Sequence, residues 1–186
     1  MNNSKGFSLI EVLVTLLLTT LGILGMVALQ SRSIHYTQDS IQRNSAVELS
    51  SQLIDMMRAN PAALFDEVPP KHPTYGKLKN SSLFFKTKGN NFSPAPAEPA
   101  SNACLTPTTA QQQRDCWIAQ VKNRLPDGAA LLTSQSYVCR SSVAGNCNNQ
   151  GSTIEIQLAW QVKKDSCPDA RAPNATTCIY RTRIEL

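Results

Sequence analysis

The residues best placed for chemistry in this 186-residue chain are a lone acid, six cysteines and a run of lysines. Glu11 is the single ionisable side chain between Phe7 and Leu29, a stretch that is otherwise uncharged and mostly apolar. A charge in a lipid-facing helix costs roughly 3 kcal/mol or more, so Glu11 calls for a partner. The cysteines, Cys104, Cys116, Cys139, Cys147, Cys167 and Cys178, all lie in the C-terminal half. None forms a C-x-x-C pair, and the two histidines, His35 and His72, are far away in sequence, which argues against a metal centre. An even number of cysteines outside the apolar stretch points to three disulfides in an oxidising compartment. Six cysteines allow fifteen pairings and the sequence does not choose among them. The short-loop pattern Cys104–Cys116, Cys139–Cys147, Cys167–Cys178 is the preferred expectation, each bridge contributing ~2–4 kcal/mol, mostly by restricting the unfolded chain.

Lys71, Lys77, Lys79, Lys86 and Lys88 follow one another with no acid until Glu98. They form a candidate patch for DNA or another polyanion, although a solvated lysine-rich loop is the preferred reading. No helix-turn-helix, zinc-finger or aromatic-basic RNA-binding pattern accompanies them. The net charge of +5 and pI near 9.0 are mild, with acids scattered throughout. No P-loop, G-x-G-x-x-G, G-x-S-x-G or metal-ligand cluster is present, so neither an enzyme nor a cofactor is expected. Asp66-Glu67 and Lys163-Lys164 read as solvated charges. The N-x-S/T triplets at Asn80, Asn91 and Asn174 are assigned no glycan.

The elements that must position these residues begin with a long helix. Phe7–Leu29 would be ~34 Å of helix, enough to cross a ~30 Å hydrocarbon layer. The run is too long for the apolar core of a secretory signal, and no A-x-A site follows it. The polar leader MNNSKG precedes it, so a cut after Gly6 would leave the whole apolar helix on the mature chain. Thr15, Thr19 and Thr20 can return their hydroxyls to the helix backbone. Gly22 and Gly25, three apart, are expected to be small residues at a helix contact. Flanking charge orients the segment only weakly, but the cysteines require an oxidising space for the C-terminal part.

From Ser31 to Asn60 there is no glycine or proline, and Ile34, Ile41, Leu49, Leu53 and Met56 or Met57 recur as one helical stripe. The helix is therefore expected to run from Phe7 to Asn60, ~80 Å, and to stop at Pro61. Residues 61–101 read as irregular, with SPAPAEPAS at 93–101 an exposed loop or linker and Leu83, Phe84 and Phe85 a short strand or surface anchor. Thr106 as N-cap and Pro107 at the first helical position predict a helix over 107–125, with Trp117, Val121 and Leu125 turned to the core and Pro126-Asp127-Gly128 as its stop. Strands are expected at Ala130–Cys139, Thr153–Val162 and Thr176–Leu186. The last two alternate apolar and polar residues, which argues for antiparallel strands with one polar face. Trp117 and Trp160 should enter the core, with a partner for each indole N–H.

The opening K-G-F-S-L-I-E-V-L-V resembles the N-terminus of a type IV prepilin. The resemblance implies cleavage by a prepilin peptidase between Gly6 and Phe7, methylation of the new amino terminus at Phe7, and an assembly role for Glu11, the fifth mature residue. Cleavage creates a positive amino group at the end of the helix, and Glu11 is the matching negative charge. A pairing within the chain is open to it, since one turn separates the two. Pairing with the Phe7 amine of a neighbouring subunit is what the family implies, and it would favour one axial register. The segments AVELSSQLIDMMRANP, DCWIAQVKNRLPDG and AWQV resemble PilV-type minor pilins, so the likeness touches most of the chain except 62–103.

The fold this implies is α+β: a type IV pilin fold whose long N-terminal helix, membrane-embedded in its first half, is packed by its second half on a small antiparallel sheet. The expected organisation is a leader at 1–6, a transmembrane helix at 7–29, its continuation at 30–60 and a disulfide-braced head at 61–186. The implied function is a minor pilin that helps initiate a type IV pilus and sits at its tip. Its partners would be other minor pilins, the major pilin, the prepilin peptidase and the inner-membrane assembly platform. It would begin as a single-pass protein of the bacterial inner membrane, with its head in the periplasm, and end on the cell surface. A pseudopilin of a type II secretion system and a tip adhesin or DNA-binding subunit are the alternatives.

Overall fold

The computed structural model describes residues 8–68, 78–100 and 102–186. The chain divides into two compact units, Met1–Ser40 and Ile41–Leu186. One helix, α1 (Leu9–Ala59), supplies the described secondary structure of the first unit and opens the second. Its end follows from Pro61, whose ring disfavours helical backbone at Asn60; Asn60 adopts φ −125, ψ 60. A single 3-10 turn, Pro61–Ala63, follows.

In the second unit, Ala46, Leu49, Leu53 and Met57 of α1 are fully buried, three or four residues apart on one helical face. The stripe starts later than the sequence spacing predicts: Ile34 and Ile41 are more than half exposed. Helix α2 (Ala110–Arg124) packs Trp117, Ile118 and Val121 into the same core. It begins three residues after the expected start. The cap is Thr109, not Thr106, because Thr109 and Gln112 form a reciprocal capping box that satisfies two backbone donors at once. Trp117 Nε1 donates to the Leu49 carbonyl at 2.8 Å and fixes α2 on α1.

The segment expected as a strand from Ala130 is instead helix α3 (Gly128–Ser134), and only its end forms strand β1 (Tyr137–Arg140). Asp127 adopts the left-handed region at φ 54, turning the chain sharply after α2. A Cβ at Gly128 would lie 2.5 Å from the Val121 carbonyl oxygen, so only glycine allows this close return. Strands β2 (Ile154–Gln161) and β3 (Thr177–Ile184) complete an antiparallel sheet in the order β1-β2-β3. Ile156 stands opposite Val138 and Thr182, and Glu155 stands opposite Cys139 and Arg183.

One sheet face carries Ile154, Ile156, Leu158 and Trp160 into the core shared with α1 and α2. The other face is not the solvated polar surface that alternation suggests. Glu155, Gln157 and Ala159 are buried as well, because β2 is central and is covered on this side too. Leu131 of α3 packs there on Ala159 and Ile179. Trp160 departs from a second expectation: its buried indole N–H has no hydrogen-bond partner among the described residues. Phe84 is a core residue, and the backbone of Lys86 bridges the outer edge of β1, exchanging hydrogen bonds of 2.8 and 2.9 Å with Val138.

Candidate functional site

The amino-terminal length of α1 concentrates the features that could act on something outside the chain. Leu9–Gln30 is 22 residues, long and apolar enough to cross a membrane. All its side chains are exposed, among them Leu9, Leu17 and Leu24. Its threonine hydroxyls turn inward on the helix. Thr15 Oγ1 donates to the Val12 carbonyl at 2.9 Å, Thr19 Oγ1 to Leu16 at 3.0 Å and Thr20 Oγ1 to Leu17 at 2.9 Å. No hydroxyl on this surface therefore needs water, which suits a lipid or helix-packed environment. Gly22 and Gly25 face open space, so a neighbouring helix could approach closely there.

Glu11 sits in the first turn of α1, where the partial positive charge of the helix start favours an acid. Its side chain is exposed, and no described residue forms a hydrogen bond or ion pair with the carboxylate. Gly6 and Phe7, the expected cleavage pair, lie outside the described residues. What the segment can do chemically is present one negative charge on an apolar helical surface, a recognition element for a positive group arriving from a neighbour.

In the second unit the cysteines are joined in the short-loop pattern. Cys104–Cys116, Cys139–Cys147 and Cys167–Cys178 have Cα separations of 5.5, 5.5 and 5.2 Å. Cys104–Cys116 ties the loop before α2 to the middle of that helix, while the other two brace the loops flanking β2 and β3.

Of the five lysines in the candidate patch, three lie among the described residues. Lys86 is buried, and its ammonium donates to the carbonyls of Leu132, Thr133 (3.2 Å) and Ser136 (2.6 Å), capping the C-terminal end of α3. Bridging the β1 edge places it there, and burial pushes its pKa down to about 8. Lys79 donates to the Ala62 carbonyl at 2.7 Å. Lys88 is exposed, and Lys71 and Lys77 lie outside the described residues.

Glu155 is the residue whose role sequence reasoning missed. Its buried carboxylate accepts from Tyr137 Oη at 2.6 Å and from the Gly145 backbone N–H at 2.8 Å. Arg181 Nε lies 3.5 Å from one oxygen, and Arg183 Nε lies 3.3 Å from the other. Burial first, and then the hydrogen bond to Glu155, push the Tyr137 phenol upward. Gly145 has φ 82, and a Cβ there would meet Arg181 Nη1 at 2.9 Å. The cluster thus fastens the 141–152 loop, already tied by Cys139–Cys147, over the second sheet face. The signal was present in the sequence as complementary charge on paired strands: Glu155 on β2 against Arg181 and Arg183 on β3.

Two family models match parts of the chain. Residues 1–27 match the prokaryotic N-terminal methylation motif. Residues 28–68 match the family model of type IV pilin Tt1218. No curated protein and no solved structure matches the chain significantly. The families matched consist of structural, non-enzymatic proteins. The methylation motif implies processing by a prepilin peptidase and assembly with other pilins, and membrane or pilus localisation is typical of such chains.

Proposed function

We propose that this chain, a type IV pilin-like protein with an N-terminal methylation motif, serves as a PilV-type minor pilin that helps start a type IV pilus and stays at its tip. The observation that carries the reading is Glu11, a lone carboxylate without a partner among the described residues, on a wholly exposed apolar helical surface. Removal of the leader 1–6 between Gly6 and Phe7 would expose a methylated amine at Phe7. Docking among sister helices would bring that amine to the Glu11 of a neighbouring subunit. The charge pair removes the cost of an unpaired ion and selects one axial register.

The remaining assignments follow from that arrangement. Residues 7–29 span the inner membrane, 30–60 continue the helix, and 61–186 form a periplasmic head that is later displayed on the surface. Sister minor pilins, the major pilin and the assembly platform are the partners. The internal segments resembling PilV-type minor pilins, together with a head holding three disulfides, favour the pilus over a secretion pseudopilus. Burial of Lys86 weighs against the polyanion-binding alternative.

The test is a clean deletion in the source bacterium, scored in parallel for surface pili and for secreted exoproteins. Pili lost with secretion intact is the expected result. Secretion lost with pili intact would make the chain a pseudopilin and overturn the proposal. A Gly6→Leu variant should retain its leader, because a site that accepts glycine has no room for a bulky side chain. Mature mass in that variant would contradict the processing assignment.

A further inference from the structure

A groove of about 460 Å³ opens beside the outer edge of β1, between that edge and the segment 80–94. Its size falls within the usual range for small-ligand sites, roughly 300–1,000 Å³. Its chemistry is specific in what it lacks. Among the described residues that line it, Lys86 is the one cation, its ammonium is committed to the three carbonyls at the end of α3, and there is no carboxylate. A phosphate, sulfate or carboxylate ligand would find no free charge among these described lining residues.

What the groove offers is carboxamides. The Asn80 amide oxygen accepts from Arg140 Nη1 at 3.3 Å, and its NH₂ has no partner among the described residues. Asn90 Nδ2 donates to Thr87 Oγ1 at 2.7 Å, leaving its oxygen free. The Asn91 oxygen accepts from Thr133 Oγ1 at 3.0 Å, again leaving an NH₂. Asn149 is held in the left-handed region at φ 57, and its side-chain amide has no partner among the described residues. Three amides are thus each fixed by one end and present the other, so less freedom is lost on binding than for unanchored side chains. Phe85, packed on the core but partly exposed, supplies an aromatic wall.

Two ligand classes could use neutral donors and acceptors: a peptide main chain added to the sheet edge, or a saccharide. The edge is already occupied. Val138 exchanges both its backbone hydrogen bonds with Lys86, and the Arg140 carbonyl accepts from Asn149 N at 3.1 Å. An added strand would find no ladder to join. Sugar hydroxyls both donate and accept, which suits alternating amide NH₂ groups and oxygens, and the C–H face of a pyranose ring suits Phe85. We propose that this groove is a binding site for a neutral oligosaccharide. The inference rests on the second unit alone and is independent of where the chain sits in a filament.

The test uses the full mature chain in a detergent without a sugar headgroup, applied to an immobilised panel of neutral oligosaccharides, sialylated or sulfated oligosaccharides, and extended neutral peptides. The expected result is capture on neutral glycans, weakened about ten-fold by Asn90→Ala with Asn91→Ala, the scale of one or two lost hydrogen bonds. Asn149→Gly keeps the left-handed backbone and should weaken capture in the same direction. The thermal midpoint and the pilus count of a complemented strain should be unchanged in both variants, which separates this site from the assembly role. No capture on neutral glycans, capture confined to acidic glycans or to peptides, or full capture by the double variant would overturn the assignment.

Discussion

Leu9–Gln30 and Ala46–Met57 are two lengths of one helix, and they treat their apolar side chains in opposite ways. In the first length every side chain is exposed and the three threonine hydroxyls are folded back onto the helix. In the second, four apolar residues are completely covered by the protein that follows them, and the Leu49 carbonyl accepts from Trp117, 68 residues away. The second length is finished within the chain. The first is complete as a helix and leaves a contiguous apolar surface uncovered, as the proposed passage from lipid to sister subunits requires.

The sharpest way to break this comparison is to shorten one leucine in each length. Leu53→Ala should lower the stability of the second unit by about 3 kcal/mol, the usual cost of a cavity at a fully buried leucine. Leu17→Ala should leave it unchanged. Both tryptophans, Trp117 and Trp160, lie in the core of the second unit, so their fluorescence in a denaturant titration reports the right region. Equal losses from both variants would contradict the division.

The next effect concerns a polar group finished internally. Lys86→Met keeps an unbranched apolar stem in place of the side chain and strips the cap from α3, leaving the Leu132 and Ser136 carbonyls short of a donor. A loss of about 2 kcal/mol is expected in the same titration. An unchanged midpoint would mean that the ammonium contributes nothing net to the fold.

The smallest effect belongs to the Asp169–Arg171 pair. The hydrogen bond from Arg171 is the main cause holding the Asp169 carboxyl down at about 2, below its ordinary 3.8. A depressed acid contributes fully above the unfolded value of 3.8, and its contribution fades as pH falls through about 2. The pair is local and Arg171 is half exposed, so the loss should stay below about 1 kcal/mol. Asp169→Asn should flatten that part of the stability profile in a pH series of unfolding midpoints.

Patterns with a short period were legible in the sequence. Alternation places β2 to within one residue at each end, and Pro61 places the end of α1 to within one. What depends on distant partners was not legible. The Leu131-Leu132 run carries no period that separates strand from helix, and the turn that makes it a helix needs Gly128 against Val121. Lys86 looked like a surface charge because its acceptors are 46 to 50 residues away. Glu155 looked solvent-facing because its cover comes from Tyr137 and Gly145 as well as from β3. A buried indole could be foreseen for Trp160, yet whether an acceptor reaches its N–H is a matter of packing. At the candidate site the reverse holds: Glu11 stands out in sequence because everything around it is apolar, and no described residue pairs with it.

The most direct measurement is therefore on Glu11→Ala. Intact mass of the mature chain, the denaturation midpoint of the second unit and co-purification with sister pilins would be recorded on one preparation. Normal processing, an unchanged midpoint and loss of the sister pilins is the result expected if Glu11 acts by pairing with a neighbour's amino terminus. Full recovery of the sister pilins with the variant would contradict it.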